Sequence, residues 1–113
     1  MSAYRESILN WKEIEFMELS LKRDFDKLVL FCRCLIGNEI IDLSFYNISR
    51  MRFGELSNPL IIQGLCIIDH SQNGWENESR YEICDFEDNR IHFYCEFFRS
   101  SKVERTEHEC YDK

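Results

Sequence analysis

The stretch RYEICDFEDNRIHFYCEFF, residues 80 to 98, constrains the fold more than any other. Two runs of alternating side chains flank Asp88-Asn89, a pair of residues tolerant of positive φ, and this arrangement predicts a β-hairpin. In its second strand Ile91, Phe93, Cys95 and Phe97 share one face, while His92, Tyr94, Glu96 and Phe98 share the other. The same period of two recurs upstream. KLVLFCRCL (27 to 35) reads as a central strand, with Leu28, Leu30, Cys32 and Cys34 on one side and Val29, Phe31, Arg33 and Leu35 on the other. Gly37-Asn38 follows as a two-residue turn with glycine first, as type II′ asks. IIDLSFYNISRMRF then resumes alternation through Ile41, Leu43 and Phe45.

Ser57-Asn58-Pro59 interrupts the pattern, because proline can start a strand but not sit in its middle. LIIQGLCIID (60 to 69) is apolar on both faces, and Gly64 inside it suggests a bulge or a close backbone approach. HSQNGWENES is a polar loop around Asn73-Gly74. Near the N-terminus, Ser2 to about Asn10 has the spacing of one or two helical turns, with Tyr4, Ile8 and Trp11 recurring on one face. EIEFMELSLK alternates with a slip that suits a β-bulge, although its composition also permits a helix. After Ser100 the polar tail is expected to fray or form a short helix. These readings predict one mainly β domain over residues 1 to 113. Its expected form is a single antiparallel sheet of about five or six strands, strongly twisted or half-closed, with short terminal helices.

A chain of 113 residues buries roughly two-thirds of its unfolded surface and closes one core without staples. No run approaches the roughly 20 apolar residues of a membrane span, and Arg5, Glu6, Lys12 and Glu13 interrupt the opening where a signal peptide would be apolar. A cytoplasmic location is therefore expected, with the six cysteines reduced. Cys32 and Cys34 lie side by side on one strand face and are poorly placed to bond each other.

Net charge is −7 and unevenly spread. Residues 1 to 57 carry 8 Lys/Arg against 9 Asp/Glu, whereas residues 58 to 113 carry 6 against 12. Such a field repels phosphate backbones and attracts basic surfaces. Single-stranded nucleic acid could stack on Phe93, Tyr94, Phe97 and Phe98, but that hairpin also carries Glu82, Asp85, Glu87, Asp88 and Glu96, so direct nucleic-acid binding is not expected.

Three chemistries compete for the remaining polar residues. Cys32, Cys34, Cys66, Cys84, Cys95, His70 and His92 could supply soft ligands to zinc, yet no Cys-x-x-Cys pair occurs, and thiols in apolar strands behave as small hydrophobes. His70 beside Asp69, with His92 as a further partner, is the best acid–base candidate, without a phosphate loop or nucleophile elbow to support it. No cofactor is implied. The third chemistry is docking. Asp69, Glu76, Glu78, Glu82, Asp85, Glu87 and Asp88 cluster around one loop and one turn as rim charges, with Trp75 as a hydrophobic anchor and Tyr81 as a weaker one. Trp75 folded back onto the sheet is the alternative.

With IDLSFYNISRMRF followed by LIIQGLCIIDHSQNGWENESRYEICDFEDNRIHFYC, the chain resembles the small cytosolic immunity proteins of bacterial polymorphic-toxin and contact-dependent growth inhibition systems. That resemblance implies a non-enzymatic protein that binds a cognate toxin domain, frequently a basic nuclease, and blocks its active site or substrate surface. A monomer and a homodimer both remain open. The competing expectations are a small metal-binding regulator or enzyme built on His70, Asp69 and the cysteines, and a general protein–protein adaptor.

Overall fold

The computed structural model describes residues 7–71, 79–85 and 87–103, the side chains of 7–10 excepted. The chain is mainly β and antiparallel, as the alternation predicts, but it builds two five-stranded sheets rather than one. In chain order the strands are β1 (Ser7–Trp11), β2 (Ile14–Asp24), β3 (Lys27–Ile36), β4 (Glu39–Tyr46), β5 (Ser49–Phe53), β6 (Leu60–Ile62), β7 (Leu65–Asp69), β8 (Tyr81–Asp85), β9 (Ile91–Cys95) and β10 (Phe97–Val103). One sheet runs β1-β7-β8-β9-β5 and the other β10-β4-β3-β2-β6.

The second sheet arises because three apparently continuous runs break and change sheets. Between β4 and β5 the chain turns at Asn47, whose φ is 63°. Between β6 and β7 it turns at Gly64, φ 87°, whose N–H lies 3.2 Å from the carbonyls of both Trp11 and Lys12. Between β9 and β10 it bends at Glu96, whose N–H donates to the Tyr46 carbonyl at 2.9 Å. Asn47 Nδ2 donates to Glu96 Oε1 at 3.1 Å, so two of these crossings brace each other. The bend at Glu96 also resets the side-chain alternation. Ile91, Phe93 and Cys95 stay buried, but Phe97 is exposed and Phe98 packs against the core instead.

The inner faces of both sheets meet in one core. Ile14, Cys32, Cys34, Leu43 and Phe45 from one sheet oppose Leu65, Ile67, Ile83 and Phe93 from the other, all at most 1% exposed. The Phe45 and Phe93 rings contact edge-on across the sheets at 5.0 Å, and Tyr81 meets Phe98 edge-on at 5.1 Å. Each such buried side chain stabilises the fold by about 1.5–3 kcal/mol. The architecture is thus an aligned or twisted sandwich rather than a half-closed single sheet.

Among the described residues the terminal segments are strands rather than helices. Ser7–Trp11 instead pairs with Leu65–Ile68 as the edge strand β1, and Ser100–Val103 extends β10 along Ile40–Leu43. Residues 1–6 and 104–113, where the rest of those expectations fall, lie outside the described residues. The Gly37-Asn38 turn forms as read, joining Ile36 to its partner Glu39 with Gly37 at φ 62°. The bulge in β2 is also present, between Phe16 and Glu18. No helix among the described residues is long and apolar enough to cross a membrane.

Candidate functional site

Strand β8 organises the acidic region, and it does so by separating what sequence proximity suggested was one surface. β8 pairs with β7 from Asp69↔Tyr81 to Leu65↔Asp85. Tyr81 and Asp85 stand four residue steps apart, about 13 Å along a strand. The segment after Asp69 therefore leaves one end of the sheet, while the β8–β9 turn forms the other. Trp75, Glu76 and Glu78 lie outside the described residues.

At the first end, Asp69 is engaged by its own chain. Its carboxylate accepts from Arg80 Nε at 3.3 Å and from the Ser71 amide at 2.9 Å. Burial alone would raise its pKa, but the Arg80 and Ser71 hydrogen bonds win and hold it below the ordinary carboxylate range. Tyr81 is half-buried against the core, with the Arg80 guanidinium 4.9 Å from its ring centre, so it is a packing residue rather than a projecting anchor.

Glu82 faces the other way, onto the outer surface of the β1-β7-β8-β9-β5 sheet. It sits opposite Ile68 on β7 and Tyr94 on β9, so His70 and His92 are its diagonal neighbours. Its Oε1 lies 2.7 Å from His70 Nε2 and its Oε2 2.8 Å from His92 Nε2. One carboxylate thus bridges two imidazoles. Burial would raise its pKa, but the hydrogen bonds from His92 and His70 outweigh it and lower it. Arg52 Nη2 lies 3.5 Å from His92 Nδ1, Arg50 sits 4.9 Å from the Tyr94 ring centre, and Cys66, Ile68 and Cys84 pack beside the cluster as a small separate core.

This arrangement corrects the acid–base expectation. The carboxylate that contacts His70 is Glu82, whereas Asp69 is committed to Arg80 and Ser71. Both Nε2 atoms are held on Glu82, which leaves neither as a base toward an approaching ligand. The five described cysteines are free and buried. Desolvation pushes Cys66 up to about 11, and Cys34, Cys84 and Cys95 each up to about 12, so they remain protonated thiols. Among the described residues no group of three or more His, Cys, Asp or Glu side chains is arranged to hold a metal ion.

At the second end of β8, Asp85 is 3% exposed and is not a rim charge at all. Its Oδ1 accepts the Glu87 and Asp88 amides at 3.0 and 3.2 Å, and its Oδ2 accepts the Arg90 amide at 3.1 Å. A buried carboxylate is tolerable only when so satisfied, and here it fixes the path of the turn. Because Asn89 N–H also reaches the Asp85 carbonyl at 3.1 Å, the connection is longer than the two-residue turn that Asp88-Asn89 suggested. The register is accordingly Cys84↔His92 and Ile83↔Phe93.

Glu87 and Asp88 are exposed on this turn, Asp88 at 3.7 Å from Arg90 Nη2. Arg90 Nη2 also donates a hydrogen bond to the Ile61 carbonyl, tying the turn to the β6 strand. Gly54 N–H donates to the Arg90 carbonyl at 2.6 Å, and a Cβ on Gly54 would meet Arg90 Cα at 3.3 Å. That close approach brings exposed Glu55 to the same end. The structure leaves Glu87 and Asp88 exposed on the turn, with exposed Glu55 one residue beyond the Gly54–Arg90 contact, a residue the alternation did not single out, and withdraws Asp69, Tyr81, Glu82 and Asp85 into internal roles. Glu55 could not be found in advance, since only the pairing of β5 with β9 brings it there.

Comparison with protein-family models, curated proteins and solved structures gives no match.

Proposed function

We propose that the chain is an immunity-type inhibitor that neutralises a cognate bacterial toxin domain, a basic nuclease, by docking on it without chemistry. The resemblance supplies the class of partner. The observation that carries the docking surface is the β8–β9 turn, where Glu87 and Asp88 project from a backbone held by the buried Asp85 carboxylate. A nuclease cleft must be basic to hold phosphate, and fixed exposed carboxylates compete for that field. Preordering matters because a partner need not immobilise the turn on binding. The engaged histidines and protonated thiols favour docking over catalysis.

Co-expression with the toxin domain encoded beside this chain tests the reading. Growth should be rescued by the wild-type chain and lost with Glu87→Lys/Asp88→Lys, while the variant still accumulates as a folded protein. Failure of the wild-type chain to rescue growth, or full rescue by the double variant, would overturn the proposal.

A further inference from the structure

Strand β2 is the longest among the described residues, and only its first residues are covered on both sides. β3 pairs with it from Glu15 to Asp24, whereas β6 covers the opposite edge only at Ile14, Glu15 and Phe16. Beyond the bulge, from Met17 to Asp24, that edge has no strand partner among the described residues. An uncovered strand presents a row of backbone donors and acceptors and is a template for another strand.

The side chains on this edge are unusual for one that merely faces water. Register with β3 places Glu18, Ser20 and Lys22 on the outer face, opposite Arg33, Phe31 and Val29. Leu19 and Leu21 lie on the inner face, and Leu21 is 52% exposed, with Met17 at 45% and the tip residue Phe25 at 92%. Lysine on an edge normally guards against pairing. Here, however, an acid stands four residues before the lysine on the same face, so one sequence supplies both halves of a cross-strand ion pair.

We propose that two copies of this chain pair antiparallel along β2, about a two-fold axis passing through Ser20. In that register Glu18 of one copy faces Lys22 of the second copy, Leu19 faces the second copy's Leu21, and each contact occurs twice. Same-face residues must oppose one another across an antiparallel pair, so registers shift only by whole two-residue steps. Centring the pair on Leu21 sets Glu18 against the second copy's Asp24, a like-charge contact. Centring it on Leu19 sets Lys22, Arg23 and Asp24 against the second copy's Phe16, Glu15 and Ile14, all three residues that β6 already holds, whereas the Ser20 register reaches that edge only where Asp24 meets Phe16. The Ser20 register alone matches charge to charge and leucine to leucine. The resulting interface is isologous, the commonest form of homodimer, and it joins two five-stranded sheets into one of ten.

Sedimentation velocity of the full chain over a concentration series tests this, together with amide hydrogen exchange. The wild-type chain should dimerise, with exchange protection rising along Met17–Arg23 as concentration increases. Lys22→Glu places like charges opposite each other twice, as does Glu18→Lys, and each should weaken dimerisation at least about tenfold. The double exchange Glu18→Lys/Lys22→Glu restores both pairs and should recover most of the loss; thermal melts verify that all three variants are folded. A wild-type chain that stays monomeric overturns the proposal, as do single variants that dimerise normally, a double variant that fails to recover, or protection confined to another strand.

Discussion

The two ends of β8 use acidic residues in opposite ways. At the β7 end, Asp69 and Glu82 are drawn to side chains of their own molecule: an arginine for one, two histidines for the other. At the β9 end, one carboxylate is buried on backbone amides, and this leaves its neighbours Glu87 and Asp88 pointing outward. Acid content is similar, but availability is not. The contrast teaches that a run of negative charge becomes a surface only where strand parity and turn path leave carboxylates exposed, as Glu87 and Asp88 are even with Arg90 3.7 Å from Asp88.

The largest effect that would break this contrast comes from Asp85. Asp85→Ala leaves three part-buried amides without their acceptor and should cost about 2–4 kcal/mol, read as a lower urea midpoint. Asp85→Asn retains one acceptor oxygen and should cost less. A cost below about 1 kcal/mol for Asp85→Ala would place this carboxylate with the rim charges after all.

Glu82 comes next. Glu82→Gln replaces charge-assisted hydrogen bonds by neutral ones and should cost about 1–2 kcal/mol near neutral pH. Its pH signature is sharper. The folded carboxyl titrates below the unfolded value of about 4.3, so the unfolded state takes up the proton first as pH falls. The stabilisation is complete above that unfolded value and is lost as pH drops through the folded one. Stability curves of the wild-type chain should fall over this acid range more steeply than those of Glu82→Gln. Parallel curves would show that the two histidines do not hold the carboxyl in the folded state.

Smaller still, Glu87→Lys/Asp88→Lys should shift stability by no more than about 0.5 kcal/mol, since both residues are exposed. Reversing Glu82 and Asp85 along with them should unfold the protein, which marks the functional difference between neighbours in one sequence. The thiols offer a check independent of charge. Cys34, Cys66, Cys84 and Cys95, buried and protonated, should resist a thiol reagent in the native state and react on unfolding, as mapped by mass spectrometry.

Much of the fold was legible because alternation is local. The faces of β3, the Gly37-Asn38 turn, the β2 bulge and the existence of the β8–β9 hairpin all follow from side chains within a few residues. The division into two sheets was not. Asn47 and Glu96 interrupt runs whose composition continues smoothly, and Gly64 signals the close backbone approach it makes to Trp11 and Lys12 but not the change of sheet; only contacts distant in sequence decide which sheet each half joins. The site was less legible for the same reason. Asp85 looks like any hairpin acid until the turn path is known, and the His70–Glu82–His92 bridge requires the registers of both β7 and β9. Glu87 and Asp88 could be picked out because turn tips are exposed in most hairpins.

Association kinetics with the basic toxin domain, measured over a range of ionic strength, test the central claim most directly. For the wild-type chain the association rate should be fast and should fall steeply with added salt. With Glu87→Lys/Asp88→Lys it should be slower and much flatter in salt, while the fold is retained. Equal rates and equal salt dependence for the two proteins would contradict the account, because the exposed carboxylates of the turn that Asp85 fixes would then have no part in capture.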